Sequence, residues 1–273
     1  MRHLGLVGAG GMAETMLGAL AAALPAPLEQ LSVLSTGSPR ATELLRRHGP
    51  DVARKVAVFE ALDEMLASGV EVVTECAGHA ALRQHGAAVL AAGRDLVVIS
   101  AGALADPALL AELQAAAAQG GGRMSLPAGA VGGLDVLVVA RLSGLETVRY
   151  AGRKPPLAWR GTRAERLLDL SSLTGPATFF EGTAREAASA YPQNANVAAA
   201  VALAGLGFDA TQVSLVADPG IGRNVHEITA RSAAVDFTIR LEGRASPANP
   251  KTSLTAGFSL AREVLNRVLT QVI

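Results

Sequence analysis

The chain has 273 residues, of which 50% are apolar and 18% charged, enough to bury a sizeable core in one large domain or two moderate ones. Its 24 basic and 24 acidic side chains cancel and form no run of like charge, which argues against nucleic acid as a partner. One cysteine, Cys76, rules out a disulfide framework and fits a reducing, cytoplasmic compartment.

The strongest local signal comes first. A short apolar strand, residues 4–7, runs into Gly8-x-Gly10-x-x-Ala13, and residues 14–24 read as a helix. Gly8 permits a tight turn, Gly10 lets backbone approach a pyrophosphate, and Ala13 allows close helix–strand packing. The helix N-terminus then offers unpaired N–H groups to phosphate, which makes Gly8, Gly10, Gly11, Met12 and Ala13 candidate dinucleotide contacts. The bland alternative is an ordinary turn, which the strand before and helix after disfavour. Arg2 and the apolar stretch behind it mimic a secretory signal, but Glu14 interrupts that stretch and the glycine spacing has its own explanation.

A second strand at 30–34 is followed by a helix at 38–47, with Ser38 as cap and Pro39 in its first turn. An NAD-preferring site places a carboxylate between the two, and here stand Ser35, Thr36 and Arg40. Hydroxyls and a guanidinium suit a 2′-phosphate, so NADP is favoured slightly over NAD; a polar loop with a helix cap is the competing reading. Strands are expected at 56–59, 70–78, 95–100 and 123–126, and helices at 62–67, 80–92 and 109–119. Small residues at the strand ends, including Cys76, Ala77 and Gly78, keep open the edge along which a dinucleotide runs.

Beyond Pro127 the alternation of strand and crossover helix gives way to period-two patterning, as in residues 235–242. Helices are expected at 132–142, 164–170, 194–206 and, returning to the first domain, 253–272. The apolar run at 197–208 is too short to span a bilayer, and no membrane association is expected. The fold class is α/β: a Rossmann-type dinucleotide-binding domain over residues 1–128, completed by a C-terminal helix in 250–273. A smaller α+β domain over 129–249 carries a mixed or antiparallel sheet, substrate binding and dimerisation.

Among five histidines, His226 shares a strand face with Ile228 and Ala230 and has no competitor in the second domain. A buried structural histidine and a proton acceptor beside a hydride donor are both open readings. Asn194 and Asn196 read as helix caps or as amides facing a ligand. Arg153 and Lys154 read as a solvated charge pair on a loop or as a cation for a carboxylate, and Lys251 invites the same question. Cys76 lacks a base partner and reads as a core residue, and no clustered motif points to a metal.

Several segments together are more specific than the glycine loop: Glu75-Cys76-Ala77-Gly78-His79, Ser100-Ala101-Gly102-Ala103, Pro127-Ala128-Gly129-Ala130-Val131-Gly132-Gly133, Tyr150-Ala151-Gly152-Arg153-Lys154-Pro155, Tyr191-Pro192-Gln193-Asn194-Ala195-Asn196, Asn224-Val225-His226 and Asn249-Pro250-Lys251-Thr252-Ser253. In these the chain resembles the L-aspartate dehydrogenase family from end to end. The resemblance implies that Ala130 and Asn196 contact the cofactor and that His226 is the active-site histidine. It implies oxidation of L-aspartate to iminoaspartate or oxaloacetate plus ammonia, or the reverse amination. Arg153, Lys251 and Asn194 are the candidates for substrate binding. The chain departs from the family at Gln193, where lysine is common, and at Ser35-Thr36, where a charged residue is common. The alternatives are a nicotinamide enzyme acting on another amino acid or on homoserine, and a non-catalytic dinucleotide sensor. A homodimer is expected.

Overall fold

The computed structural model describes residues 1–246 and 249–272, with the side chains of Gln193, Ala245 and residues 249–252 excluded. The chain divides into two compact units, residues 1–127 with 256–273 and residues 128–255.

The first unit is built on β1 (His3–Val7), α1 (Gly11–Ala23), β2 (Leu28–Leu34), α2 (Pro39–Val52), β3 (Ala53–Phe59), α3 (Leu62–Ala67), β4 (Val72–Glu75), α4 (His79–Ala91), β5 (Asp95–Val98), α5 (Pro107–Gly120) and β6 (Met124–Ser125). Its six strands form one parallel sheet in the order β3-β2-β1-β4-β5-β6, two strand–helix–strand halves meeting between β1 and β4. All five residues of β1 are buried, as a central parallel strand covered on both faces requires. Leu4 and Leu6 join Met16, Leu17 and Leu20 of α1 in a core that also takes Leu260 and Val264 from the C-terminal helix. That helix approaches α1 closely because residue 257 is glycine: a Cβ there would meet Thr15 Cβ at 2.5 Å.

The second unit contains α6 (Leu134–Ser143), β7 (Leu145–Lys154), β8 (Ala177–Thr183), α7 (Ala184–Ala190), α8 (Asn196–Ala204), β9 (Gln212–Ala217), β10 (Asn224–Ser232) and β11 (Phe237–Gly243). The sheet is mixed, in the order β11-β10-β7-β9-β8, with β7 and β9 parallel and the other neighbours antiparallel. A small ladder of β12 (Ala245–Ser246) and β13 (Asn249–Ser253) precedes α9 (Leu254–Leu265).

Three expected elements differ, and of these the C-terminal helix expected over 253–272 spans Leu254–Leu265. The helix expected at 164–170 is a single 3-10 turn, Arg163–Arg166, because Asp169 turns back to accept from the Ser171 backbone N–H at 3.0 Å and thus draws the chain out of helical geometry. The helix expected from residue 194 starts at Asn196 with Ala195 as its N-cap, so Asn194 does not cap it.

Candidate functional site

In the first unit the residues at the strand ends build a cradle. Gly8 has φ +99°, and a Cβ on it would meet Ala77 Cβ at 2.8 Å, so both conformation and space demand glycine. A Cβ on Gly10 would meet nothing within 4 Å, leaving open the space that a pyrophosphate needs. Gly10 is also the N-cap of α1 and supplies no side-chain acceptor, whereas Ser38, Asp106 and Thr183 each cap their own helices. The N–H groups of Gly11, Met12 and Ala13 are thus left for a ligand, beside the point where the strand order reverses. These residues fit a dinucleotide.

Glu75, which the sequence reading left without a role, ties this edge together. It is 1% exposed. Its Oε1 accepts from the Ala77 and Gly78 N–H groups at 2.8 and 2.6 Å, and its Oε2 from the Ser100 N–H at 3.1 Å. One carboxylate therefore joins the loop after β4 to the loop after β5. Burial pushes its carboxyl pKa up, against the pull of the N–H donors. Neighbouring Cys76 is packed against the core, and burial raises its thiol well above its usual range, which removes it as a nucleophile. Beyond β2, Ser38 Oγ accepts from the Arg40 N–H at 3.3 Å. Thr36 and Arg40 are exposed and Ser35 is half-buried; among the described residues the Arg40 guanidinium has no partner.

In the second unit the face of β7 that carries Tyr150, Gly152 and Lys154 organises the chemistry. His226 on β10 lies opposite Gly152, and Leu215 on β9 flanks it on the other side. A Cβ on Gly152 would meet Tyr150 Oη at 2.8 Å, so the glycine clears the path along which the phenol reaches His226. The hydroxyl and Nδ1 of His226 are 2.8 Å apart. His226 is 3% exposed, and among the described residues its Nε2 has no hydrogen-bond partner. Burial, reinforced by the positive charge of Lys154, lowers the His226 pKa to about 4. A neutral imidazole held at one nitrogen and free at the other is a proton acceptor of fixed orientation.

Lys154 itself is half-buried, and desolvation lowers its pKa to about 8. Its ammonium donates to Asn194 Oδ1 and stands 5.1 Å from the centre of the Trp159 ring. Trp159 is fully buried, anchored by a 3.0 Å hydrogen bond from Nε1 to the Val216 carbonyl and by edge contacts with Phe179 and Tyr191. Arg153, expected as a substrate cation, lies in a different setting. The pleat of β7 turns Arg153 to the opposite face, where it pairs with Asp218 at 3.5 Å.

Ala130 lies in the turn before α6, and Asn196 opens α8. Lys251 lies in β13, and its side chain is outside the described residues. Among the described residues no group of three His, Cys, Asp or Glu side chains is placed to hold a metal, and no helix is long and apolar enough to cross a membrane. Sequence reasoning gave Tyr150 and Glu75 no role and did not separate Lys154 from Arg153; the alternation Tyr150-x-Gly152-x-Lys154 is the available signal.

The strand order, the glycine cradle and the second, mixed-sheet unit define an NAD(P)-binding dehydrogenase of two domains. Residues 8–127 match the family described as "Homoserine dehydrogenase, NAD binding domain", and residues 135–267 match "Aspartate dehydrogenase, C-terminal". The chain is 42% identical to the L-aspartate dehydrogenase of Ralstonia nicotianae over 98% of both chains, and 49% identical to that of Ruegeria pomeroyi over 83% of both. It belongs to the L-aspartate dehydrogenase family. Its fold is shared with the crystal structure of aspartate dehydrogenase from Thermotoga maritima (TM-score 0.73, 24% identity, 100% of this chain and 99% of that one). Amine dehydrogenase from Mycobacterium smegmatis is more distant (TM-score 0.55, 13% identity, 100% and 94% coverage).

Proposed function

We propose that the protein oxidises L-aspartate at its α-carbon, and that His226 is the proton acceptor. The observation that carries this role is a neutral, buried imidazole with Nδ1 engaged by Tyr150 and Nε2 unengaged. Hydride leaves a carbon readily only when the attached amine is neutral, so a group must take the ammonium proton first. With the ring proton on Nδ1, where it donates to Tyr150 Oη, Nε2 carries the lone pair that takes the substrate's proton, and the Tyr150 hydrogen bond keeps the ring oriented as it becomes charged. Bound NAD(P) supplies the hydride acceptor. The products are the protonated imine of aspartate, the reduced dinucleotide and one proton; addition of water with loss of ammonium gives oxaloacetate, and reverse amination uses the same groups. The polar groups of Ala130 and Asn196, together with the cradle residues from Gly8 to Ala13 and Cys76, Ala77 and Gly78, are assigned to the cofactor. We assign the enzyme to the cytoplasm as a homodimer, pairing through an edge strand of the second unit's sheet, β8 or β11.

Reduction of NAD and NADP measured with L-aspartate, beside D-aspartate, L-glutamate and homoserine, tests the reading. L-Aspartate is expected to be turned over at least tenfold more efficiently than the others. Turnover of homoserine alone would move the chain to the activity named for the family that matches its first unit.

Between the two dinucleotides, the absence of a carboxylate at residues 35–40 and the unpartnered Arg40 favour NADP. Arg40→Ala is expected to weaken NADP binding about tenfold while leaving NAD within about twofold, read by fluorescence titration of each reduced cofactor. A strong NAD preference in the parent enzyme, unchanged by the substitution, would overturn this assignment.

A further inference from the structure

We propose that the Lys154 ammonium receives a carboxylate of the dicarboxylic substrate on the sheet face it shares with His226, and so helps select that substrate. The proposal rests on the aspartate reading and names a residue for its binding step. Lys154 ends β7 on the face of Tyr150 and Gly152, and its charge acts on His226 directly. Among the described residues no carboxylate lies within ion-pair distance of it. Arg153, one residue away, does have such a partner in Asp218. What surrounds the ammonium is the Asn194 amide oxygen and the Trp159 ring, which orient a cation without neutralising it. A partly buried charge without a counter-ion is unfavourable, and that cost is relieved when an anion binds. The lowered pKa of Lys154 expresses the same lack of compensation. Half-burial leaves the group reachable, and an ammonium with one N–H given to Asn194 retains donors for a carboxylate oxygen.

An anion bound there also acts on His226. It offsets the Lys154 charge that disfavours imidazolium, so the histidine becomes a better base once substrate is present. Among the described residues the ionisable group in contact with this pair is Tyr150 on β7 itself; the 3-10 turn Pro192–Asn194 brings the neutral Asn194 amide, and Trp159 brings its ring.

The test uses the full-length enzyme with Lys154→Met and Lys154→Arg. Folding is checked by the thermal midpoint and by far-ultraviolet circular dichroism, since Trp159 itself contacts Lys154. For Lys154→Met, KM for L-aspartate is expected to rise roughly 100-fold with kcat lowered less than about tenfold and dinucleotide affinity unchanged, and Lys154→Arg is expected to recover at least about a tenth of the loss. Succinate binding, measured by calorimetry with the dinucleotide present, is expected to weaken in parallel with KM. That reading needs no turnover, so it judges Lys154 separately from the aspartate assignment, which the parent enzyme's substrate panel judges. Equal loss of kcat in both variants with KM unchanged would overturn the proposal and make Lys154 a proton acceptor. Unchanged KM and unchanged succinate affinity would overturn it in favour of a lysine with no part in binding.

Discussion

His226→Asn is expected to lower kcat for L-aspartate by roughly 10²- to 10⁴-fold while dinucleotide affinity stays within about twofold. Asparagine keeps a polar atom near Tyr150 Oη and fills much of the space, but it has no nitrogen basic enough to take the substrate's proton. The parent enzyme carries a distinctive pH signature. Burial and Lys154 hold the imidazole near pKa 4, so in the substrate-free enzyme its protonation limits kcat/KM only toward that acid limit. In the substrate complex the negative charge of L-aspartate favours imidazolium, and the acid limb of kcat is expected to lie at higher pH than that of kcat/KM. Stability follows the same group. Its folded pKa of about 4 lies below the ordinary histidine value of about 6.5, so the unfolded chain binds the proton more readily. Stability is therefore full above about pH 6.5 and falls as pH drops through 4, by about 3 kcal/mol from this residue. The asparagine variant lacks that loss. Urea midpoints of the two proteins, compared at pH 7 and near pH 4, are expected to shift in its favour at the acid end. Near-normal turnover by His226→Asn would remove the histidine from the mechanism.

The parts of this molecule legible in its sequence are those in which burial leaves one reading. β1 is apolar throughout because both faces are covered, and the helix at Leu62–Ala67 coincides with its expected span. His226 was placed on the apolar face of its strand by the alternation with Ile228 and Ala230, and all three are buried. What the sequence left open involves polar side chains whose partners are distant in the chain. Tyr150 and His226 are 76 residues apart, and no local pattern pairs a phenol with an imidazole. Arg153 and Lys154 look equivalent as neighbours in a loop; as neighbours in a strand the pleat sends one to Asp218 and the other to Asn194. Asn194 reads as a helix cap until a lysine ammonium 40 residues away takes its oxygen, and Ala195 becomes the N-cap instead.

Glu75→Gln is expected to destabilise the first unit by about 1–3 kcal/mol and to weaken dinucleotide binding about tenfold. The substitution preserves shape and removes charge, so its effect isolates the hydrogen bonds. An amide has one accepting oxygen. It can serve the Ala77 and Gly78 N–H groups or the Ser100 N–H, and its NH₂ then points a donor at a donor on the other side. The Ser100 N–H is buried, so when it is the orphan, water does not replace the lost acceptor. Both loops sit at the carboxyl ends of parallel strands, and Ala77 is the residue against which Gly8 packs. A shift at Ala77 is therefore felt at the turn that the Gly8 conformation defines, which couples the stability loss to the cradle. Glu75→Asp tests the reach of the same bridge, because a carboxylate one methylene shorter keeps the charge and cannot span both loops. Chemical denaturation and calorimetric titration with NADP measure the two effects. If affinity and denaturation midpoint both match the parent in Glu75→Gln, the carboxylate does not organise this edge.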